Sequence, residues 1–154
     1  MSEDEKKLKQ EILGTLAPCG LNCRKCFAYN EGEIKLLSKR LKKLLGNFDK
    51  YAERFSRFLP EFDNYPSFKK LLDFFAHGNC TGCRNGTCKH PDCGVFHCYK
   101  EKGVEFCFQC EEFPCDKTNF DLDLHQRWLE MNVRMKKIGI QKYFEESKRN
   151  PRYK

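Results

Sequence analysis

The sequence predicts a mainly α-helical fold with irregular, metal-stabilised cysteine-rich loops; a small α+β zinc-binding domain is the alternative. Three observations lead to this prediction. Eleven cysteines occur in a chain of 154 residues and fall into two clusters. Apolar residues recur at helical spacing before and after the second cluster. Between about residues 78 and 116 helical periodicity is lost and Gly, Asn, Thr and Pro are frequent, so we expect metal, rather than a conventional core, to order this segment.

The first two helices are marked by their ends. Ser2 and Glu5 have the spacing of a capping box, which predicts a helix running to about Leu13. A second helix is predicted from Glu33, with Gly46 as its end. Its apolar residues recur every three or four positions, namely Ile34, Leu37, Leu41 and Leu44. Its basic residues form a face that we expect to be solvated rather than to bind phosphate, namely Lys35, Lys39, Arg40, Lys42 and Lys43.

An aromatic stripe follows this second helix. It consists of Phe48, Tyr51, Phe55, Phe58 and Phe62. Pro60 interrupts the stripe and is expected to end or bend the helix there. Pro66 suits a first helical position, and the apolar residues after it are Phe68, Leu71, Leu72 and Phe75. We expect these apolar faces to pack the helices on each other and on the cysteine loops.

The last helices come after Pro114. One face is formed by Leu124, Trp128, Met131, Met135 and Ile138. Gly139 breaks this pattern, and a short final helix is predicted from Gln141 to about Lys148. The whole organisation is that of a single domain over residues 1–154, with a helical insertion at about 31–77, a cysteine-rich metal-binding region at about 78–116 and C-terminal helices at about 117–149.

The expected compartment decides between disulfides and metal. The N-terminus carries no apolar signal region, and no stretch approaches the roughly 18 apolar residues of a membrane span. We therefore expect a cytoplasmic protein with no membrane partner. Thiols stay reduced in the cytoplasm, where closely spaced cysteines are typical of metal ligands or catalysts.

The second cysteine cluster holds two sets of four. Cys80, Cys83, Cys88 and Cys93 have the spacing of a zinc knuckle, with a cysteine where the knuckle has histidine. Cys98, Cys107, Cys110 and Cys115 form the other set. Zinc prefers four nitrogen or sulfur ligands in a tetrahedron, and glycines such as Gly82 can turn amide N–H groups towards sulfur. The spacing indicates metal but leaves open which cysteine joins which site.

The first cluster, Cys19, Cys23 and Cys26, supplies three ligands. Its spacing matches the cluster loop of radical S-adenosylmethionine enzymes, but those need a large α/β barrel that this chain cannot form. The more favoured interpretation is three of four ligands, completed by a histidine or by a cysteine of the second cluster. Eleven cysteines and one histidine would complete three tetrahedral sites, and His97 and His90 are the better histidine candidates.

The charge does not by itself indicate nucleic acid. Twenty-nine basic and 22 acidic residues give +7. Zinc held by four thiolates carries a net charge of −2, so two such sites would lower +7 to +3. Nucleic acid therefore stays a weakly supported partner.

Three runs of residues occur in a fixed order: Ala-Pro-Cys19-Gly-Leu-Asn-Cys23-x-x-Cys26-x-Ala-Tyr29, Cys80-Thr-Gly-Cys83-Arg84, and Cys98-Tyr-Lys-Glu-Lys-Gly-Val-Glu-Phe-Cys107-x-x-Cys110-Glu-Glu-Phe-Pro-Cys115. Together, over roughly Leu16 to Tyr143, they resemble a cysteine-rich prokaryotic family called domain of unknown function 3795. The resemblance implies metal binding, with zinc as the expected metal, and it implies no established activity.

The resemblance also implies a ligand set. The family pattern falls on Cys19, Cys23, Cys26, Cys80, Cys83, Cys93, Cys98, Cys107, Cys110 and Cys115. Cys88 is outside that pattern, which favours ligation shared across segments over a self-contained knuckle. The Phe-rich stretch between Tyr29 and Cys80 is longer than is usual in the family, so the resemblance implies no role for it.

The sequence thus predicts a binding or scaffolding module for an unknown protein partner, with two or three structural zinc ions. Ser-His-Asp sets, phosphate-binding loops and His-Glu-x-x-His are absent from the sequence, which argues against an enzyme. Three alternatives remain open. They are an iron–sulfur redox protein, a zinc-dependent nucleic-acid binder and an enzyme that uses an activated thiolate.

Overall fold

The computed structural model describes residues 1–86 and 88–154, so position 87 in the predicted cysteine-rich region lies outside the described residues. The chain forms two compact units, of which the first combines residues 1–25 with 80–154 and the second comprises residues 26–79. The described residues form seven α-helices. They are α1 (Glu3–Thr15), α2 (Glu33–Leu45), α3 (Asp49–Phe55), α4 (Tyr65–Ala76), α5 (Val95–Glu101), α6 (Leu122–Ile138) and α7 (Ile140–Arg149). A mainly helical fold is thereby confirmed.

The helix ends follow from local chemistry. The Glu5 backbone N–H donates to Ser2 Oγ at 3.2 Å, and the Ser2 N–H donates to the Glu5 carboxylate at 2.6 Å, which is the predicted capping box. Helix α2 ends at Gly46, whose N–H donates to the carbonyl of Lys42. Gly139 separates α6 from α7 with a φ of 86°, a conformation that glycine adopts without strain. These three predicted boundaries are confirmed.

Two apolar clusters hold the first unit together. One joins α1, α6 and α7 through Ile12, Leu16, Phe106, Met135 and Phe144, all buried. The other surrounds the buried Trp128 of α6 and includes Ala17, Cys19 and Val95. Leu16 and Asn22 form an isolated antiparallel bridge, and the described residues contain no extended strand. The cysteine-bearing loops therefore rest on helices rather than on a sheet.

The second unit is held by aromatic contacts. The ring of Phe48 lies 6.1 Å from that of Phe55, 5.4 Å from that of Phe62 and 5.2 Å from that of Tyr65. Helix α3 ends at Phe55, and a 3₁₀ turn over Pro60–Asn64 precedes α4. Part of the aromatic stripe therefore packs as predicted.

Helix α4 begins at Tyr65, one residue before the predicted start. Pro66 thus occupies the second helical position rather than the first. Proline is tolerated at either position, because the first N–H groups of a helix have no intrahelical partner.

The apolar face of α2 does not pack as predicted. Leu37 and Leu41 are exposed, and Leu44 is 76% exposed. Helix α2 instead meets α4 on another side, where Ser38 is buried and Lys42 forms a 2.6 Å ion pair with Asp73. A small residue allows close approach of two helices, which explains why the serine side, not the leucine side, forms the contact.

The basic residues of α2 are only partly a solvated face. Lys39, Arg40 and Lys43 are exposed as expected. Lys35 is not simply solvated, because its Nζ donates to the carbonyl of Gly78 at 2.7 Å.

The prediction that residues 78–116 contain no regular structure is wrong for α5. This seven-residue helix buries Val95 and Tyr99. Two turns are too short to produce a recognisable apolar period, so the sequence pattern did not reveal it. None of the described helices is both long enough and apolar enough to span a lipid bilayer.

Candidate functional site

Four cysteines of the first unit line one small cavity. Cys98 comes from α5, Cys107 and Cys110 bracket a 3₁₀ turn, and Cys115 follows in the next loop. The cavity has a volume of about 30 Å³, and Trp128 forms part of its wall. This set is the second foursome that the spacing predicted. We call these four residues the Cys98 group.

Burial shapes the chemistry of the Cys98 group. It raises the pKa of the Cys107 thiol to about 11, although Trp128 acts in the opposite direction. The pKa of Cys98 is also raised, first by burial and then by the nearby charges of Cys115 and Cys110. Several thiolates so close together repel each other unless a cation is present.

The indole of Trp128 lies against Cys107 with an unsatisfied donor. Its Nε1–H is buried and, within residues 1–86 and 88–154, has no hydrogen-bond partner of normal geometry. It still lowers the pKa of Cys107, which means that it favours a negative charge on that sulfur. An orphaned buried N–H is costly, and a thiolate at Cys107 would relieve the cost.

Backbone contacts fix where the Cys98 group lies. The Cys107 N–H donates to the carbonyl of Pro18 at 3.0 Å. The Gly94 N–H donates to the carbonyl of Thr118 at 3.0 Å, joining the start of α5 to the loop after Cys115. These bonds connect segments far apart in sequence, which is why spacing alone could not define the geometry.

A second group of cysteines is joined by thiol hydrogen bonds. The thiols of Cys83 and Cys93 both donate to the sulfur of Cys88. These bonds lower the pKa of Cys88, and the same bonds raise the pKa of each donor thiol. Three of the four cysteines in the predicted knuckle are thereby brought together.

Two cysteines of the first cluster lie beside this second group. Cys19 is buried, which raises its pKa to about 12, with the nearby charge of Cys23 adding to the effect. Cys23, Cys83 and Cys93 pack against the same Trp128-centred cluster that contains Cys19. The structure therefore brings the N-terminal cysteines to the cysteine-rich loops. We call Cys19, Cys23, Cys83, Cys88 and Cys93 the Cys19 group.

Backbone amides point at several of these sulfurs. The Leu21 N–H donates to Cys19, and the His90 N–H donates to Cys88. The Gly82 N–H donates to Cys80 Sγ at 3.4 Å, with Gly82 at a φ of 89°, as expected for a glycine that turns its amide towards sulfur. An amide that donates to sulfur stabilises the thiolate over the thiol.

The remaining predicted ligands are Cys26, His97 and His90. Cys26 begins the second unit, where its carbonyl accepts from the N–H of Tyr29. His97 is exposed on α5, and its ring lies edge-on against Phe96 at 4.7 Å. His90 contacts the Cys19 group through its backbone N–H to Cys88, while its ring Nδ1 lies 2.8 Å from the carbonyl of Pro91.

The arrangement stops short of a complete metal centre. Across the described part of the chain, no three His, Cys, Asp or Glu side chains are positioned so that they could hold a metal ion. None of the eleven cysteines, all of which are described, forms a disulfide. Cys83, Cys88 and Cys93 interact with one another through thiol hydrogen bonds.

Arg84 is a site residue whose role the sequence did not reveal. It directly follows Cys83, and its guanidinium donates to the carbonyls of Leu16 at 3.2 Å and Glu105 at 2.5 Å. It also lies over the ring of Phe106, with 5.0 Å to the centroid. Burial lowers its pKa, although not enough to discharge an arginine. Arg84 therefore ties three cysteine-bearing segments together.

The fold and the gathered thiols define a small, cysteine-rich helical protein. A family model for a protein of unknown function (DUF3795) matches residues 15–120, so the chain belongs to that family. The match spans both cysteine groups and all of the second unit. Neither the curated proteins nor the solved structures contain a match to this chain.

Proposed function

We propose that this protein binds zinc through its cysteines and uses the metal to hold a small binding or scaffolding module together. The observation that carries the proposal is the convergence of Cys98, Cys107, Cys110 and Cys115 on one cavity of about 30 Å³. Four thiolates are the ligand set of closed, structural zinc sites. The buried N–H of Trp128 supplies the hydrogen-bond donor that a thiolate at Cys107 needs.

Zinc would replace thiol protons at this site. Metal binding requires each ligand to lose its proton and turn towards a common point. Side chains on short loops can make such a turn about χ1 without moving the backbone bonds that fix the loops. The Cys98 group therefore suits zinc in the number and type of its ligands, and the indole N–H of Trp128 can donate to one of them.

A second zinc ion is proposed for the Cys19 group. Cys88 accepts hydrogen bonds from two thiols and one amide, which marks the point where negative charge is best stabilised. Cys19 and Cys23 lie close enough for their charges to raise the pKa of Cys83, so ligands from both clusters are within electrostatic reach of one another. A zinc site whose ligands come from both cysteine clusters agrees with the family pattern. That pattern does not include Cys88, so it favours shared ligation over a self-contained knuckle. A third site that includes Cys26, Cys80 or His97 remains a prediction.

An iron–sulfur cluster is the main rival, because the same four-thiolate ligation suits either metal. The distinguishing experiment is metal analysis of protein purified without air. We expect close to two zinc ions per chain and no visible absorption. A brown protein with iron and acid-labile sulfide would overturn zinc in favour of a redox role.

Ligand assignment can be tested without relying on variants that fold. Iodoacetamide alkylation followed by mass spectrometry measures the protection of each cysteine before and after chelation of the native protein. We expect the Cys98 group to become reactive together when the metal is removed. Full reactivity of Cys98 and Cys110 before chelation would show that these thiols are not ligands.

A matched pair of substitutions adds a second measurement. Cys110→Ser should remove about one metal equivalent, because three remaining sulfurs leave the zinc coordination shell incomplete. Cys88→Ser is the control, because Cys88 lies outside the Cys98 group and outside the family pattern. In alkylation, this variant should leave the four cysteines of the Cys98 group protected, even if the zinc of the Cys19 group is lost. Equal metal content in both variants and in the wild type would contradict the proposal.

A further inference from the structure

A polar cleft lies in the first unit. It has a volume of about 330 Å³ and is bordered by α6, α7, residues 20–22 and the C-terminal segment 150–154. This volume is within the usual range of small-molecule sites. The cleft contains no cysteine, but the charge of Arg152 acts on the nearby thiol of Cys19.

Two arginines contribute uncompensated positive charge to the cleft. The Arg127 guanidinium donates to the backbone carbonyl of Arg152. The Arg152 guanidinium in turn donates through Nη1 to the backbone carbonyl of Asn22 at 2.7 Å. Both arginines are half-buried and are held by neutral acceptors, which orient the guanidinium groups without cancelling their charge. Each guanidinium has five N–H donors, so several remain for a ligand.

The acidic residues of the cleft do not balance these two charges. Glu146 is paired with Arg134, whose Nε and Nη2 lie 3.1 and 2.6 Å from the carboxylate. Glu130 is exposed and accepts from the side-chain amide of Gln126 at 3.0 Å. The bidentate pair of Arg134 and Glu146 neutralises its own charges. The positive charges of Arg127 and Arg152 then outnumber the single remaining carboxylate, that of Glu130. The local field favours an anion.

Asn22 borders the same cleft and carries an unsatisfied acceptor that is shielded from solvent. It is only 7% exposed, and its Nδ2 donates to Ser147 Oγ at 3.2 Å. The Ser147 hydroxyl donates to the carbonyl of Phe144 at 2.7 Å, so its lone pairs are what face Asn22. This fixes the orientation of the amide, and Asn22 Oδ1 is left buried without a partner in the described residues. A buried acceptor with no donor is a feature that a ligand N–H or O–H would satisfy.

We propose that this cleft binds a small organic oxyanion that carries its own hydrogen-bond donor. A carboxylate or phosphate group would be held by the guanidinium groups of Arg127 and Arg152. An N–H or O–H group of the same molecule would donate to Asn22 Oδ1. Met131 and Leu21 supply apolar wall for the carbon skeleton between these two groups. Hydroxy acids, amino acids and hydroxyl-bearing phosphate monoesters share this chemistry.

The test uses probe pairs that differ only in the donor. L-Malate and succinate differ by one hydroxyl group, as do glycerol 3-phosphate and propyl phosphate, and isothermal titration of the full-length chain measures each affinity. We expect the hydroxyl-bearing member of at least one pair to bind about tenfold more tightly. The pair that binds identifies carboxylate or phosphate as the anionic group. Absence of binding by all four probes at millimolar concentration, or equal affinity within both pairs, overturns the proposal.

Two substitutions locate the binding. Arg127→Gln should weaken the better probe about tenfold or more, because it removes a charged donor. Arg54→Gln removes the same charge from an exposed position of α3 in the second unit, outside the cleft, and should leave the affinity unchanged. Equal weakening by both substitutions would mean general charge attraction and would overturn the site. Binding unchanged in both would overturn it as well.

Discussion

The side chain of Asn132 ties the two cysteine clusters together through backbone groups. Asn132 is fully buried in α6, and its Nδ2 donates to the carbonyl of Cys19 at 2.9 Å. Its Oδ1 accepts from the N–H of Phe108, one residue after Cys107, at 3.0 Å. A single amide thus fixes residues about 90 positions apart, independently of any metal. The thiols converge partly because a helix that follows them carries this amide.

Asn132→Leu is therefore expected to lower the free energy of unfolding by about 3 kcal/mol. The variant keeps the size of the side chain but leaves the Cys19 carbonyl and the Phe108 N–H buried without partners, each at a cost of about 1–3 kcal/mol. Urea unfolding followed by circular dichroism measures the change. Gln126→Leu alters an exposed amide of the same helix and should stay within about 0.5 kcal/mol of wild type. Equal stability of the two variants would show that the Asn132 bonds are unimportant.

Gly94→Ala is expected to be severely destabilising. A Cβ built at Gly94 would lie 1.9 Å from the carbonyl oxygen of Lys117, and the obstacle is backbone rather than a flexible side chain. The bond from the Gly94 N–H to Thr118 would have to open. Gly14→Ala is the matched control, since a Cβ there meets nothing within 4 Å and alanine in a helix is favoured by about 0.5–1 kcal/mol. The midpoint of thermal unfolding should fall in Gly94→Ala and rise in Gly14→Ala. A Gly94→Ala protein as stable as wild type would contradict the described packing.

Two leucines of the second unit should respond very differently to alanine. Leu72 is buried in α4, and Leu72→Ala should cost about 2–5 kcal/mol through lost burial and the cavity left behind. Leu44 is mostly exposed on α2, so Leu44→Ala should change stability by no more than about 0.5 kcal/mol. Both changes remove the same atoms, and unfolding in guanidinium chloride compares them directly. A cost above about 2 kcal/mol for Leu44→Ala would show that its face is covered in solution.

The ionisation of Tyr143 should make stability fall at high pH. Burial raises the pKa of its phenol to about 12, and the hydroxyl donates to the carbonyl of Gly20 at 2.9 Å. The folded pKa lies above the usual value of about 10, so this stabilisation is complete below about pH 10 and is lost as pH rises towards 12.

Tyr143→Phe isolates this effect. Near neutral pH the variant should be less stable by about 1 kcal/mol because it lacks the hydrogen bond to Gly20. The difference in stability from wild type should shrink above about pH 10. There the phenol of Tyr143 ionises in the unfolded wild-type chain but not in the folded one, which lowers the stability of the wild type alone. Tyr51→Phe, at an exposed position, is the control for loss of a surface hydroxyl. A constant gap between Tyr143→Phe and wild type from pH 8 to 11 would contradict the raised pKa.

Helix ends depend on local chemistry, whereas the burial of a helix face depends on tertiary contacts. The ends of α1, α2 and α6 were predictable because Ser2, Gly46 and Gly139 act on their own backbone neighbours. Helix α5 was missed because seven residues carry too little periodicity.

Other features depend on contacts that spacing does not encode. The apolar stripe of α2 predicts a buried leucine face that the structure leaves exposed. A stripe indicates what a helix can bury, whereas its exposure depends on which element packs against it. The spacing divided the second cluster into two foursomes, and the Cys98 group matches one of them. Cys19 and Cys23 are far from Cys83 in sequence and are brought close to it by the tertiary fold. The apolar pattern of α6 predicts that Trp128 is a core residue, but it does not predict that Trp128 borders the thiols.

Metal removal should selectively loosen the cysteine-rich segment at about 78–116. Its large buried side chains are few, namely Val95, Tyr99 and Phe106, and several of its loops depend on single backbone bonds such as that from Gly94 to Thr118. A structural zinc contributes about 10–16 kcal/mol at neutral pH, which is more than such bonds can replace. Limited trypsin digestion with and without chelator should therefore show new cleavage at Lys89 and Lys100.

The internal control is α6 of the same unit. Lys136 and Lys137 offer trypsin sites on a 17-residue helix whose Trp128 and Met135 are buried, so cleavage there should increase much less. Equal increases at both places would mean that the whole first unit unfolds without metal, which extends the structural role of zinc beyond the loops. Unchanged cleavage at Lys89 and Lys100 would mean that the helices and hydrogen bonds alone order these loops. In that case the convergence of four thiols on the cavity beside Trp128 would need a purpose other than structural metal.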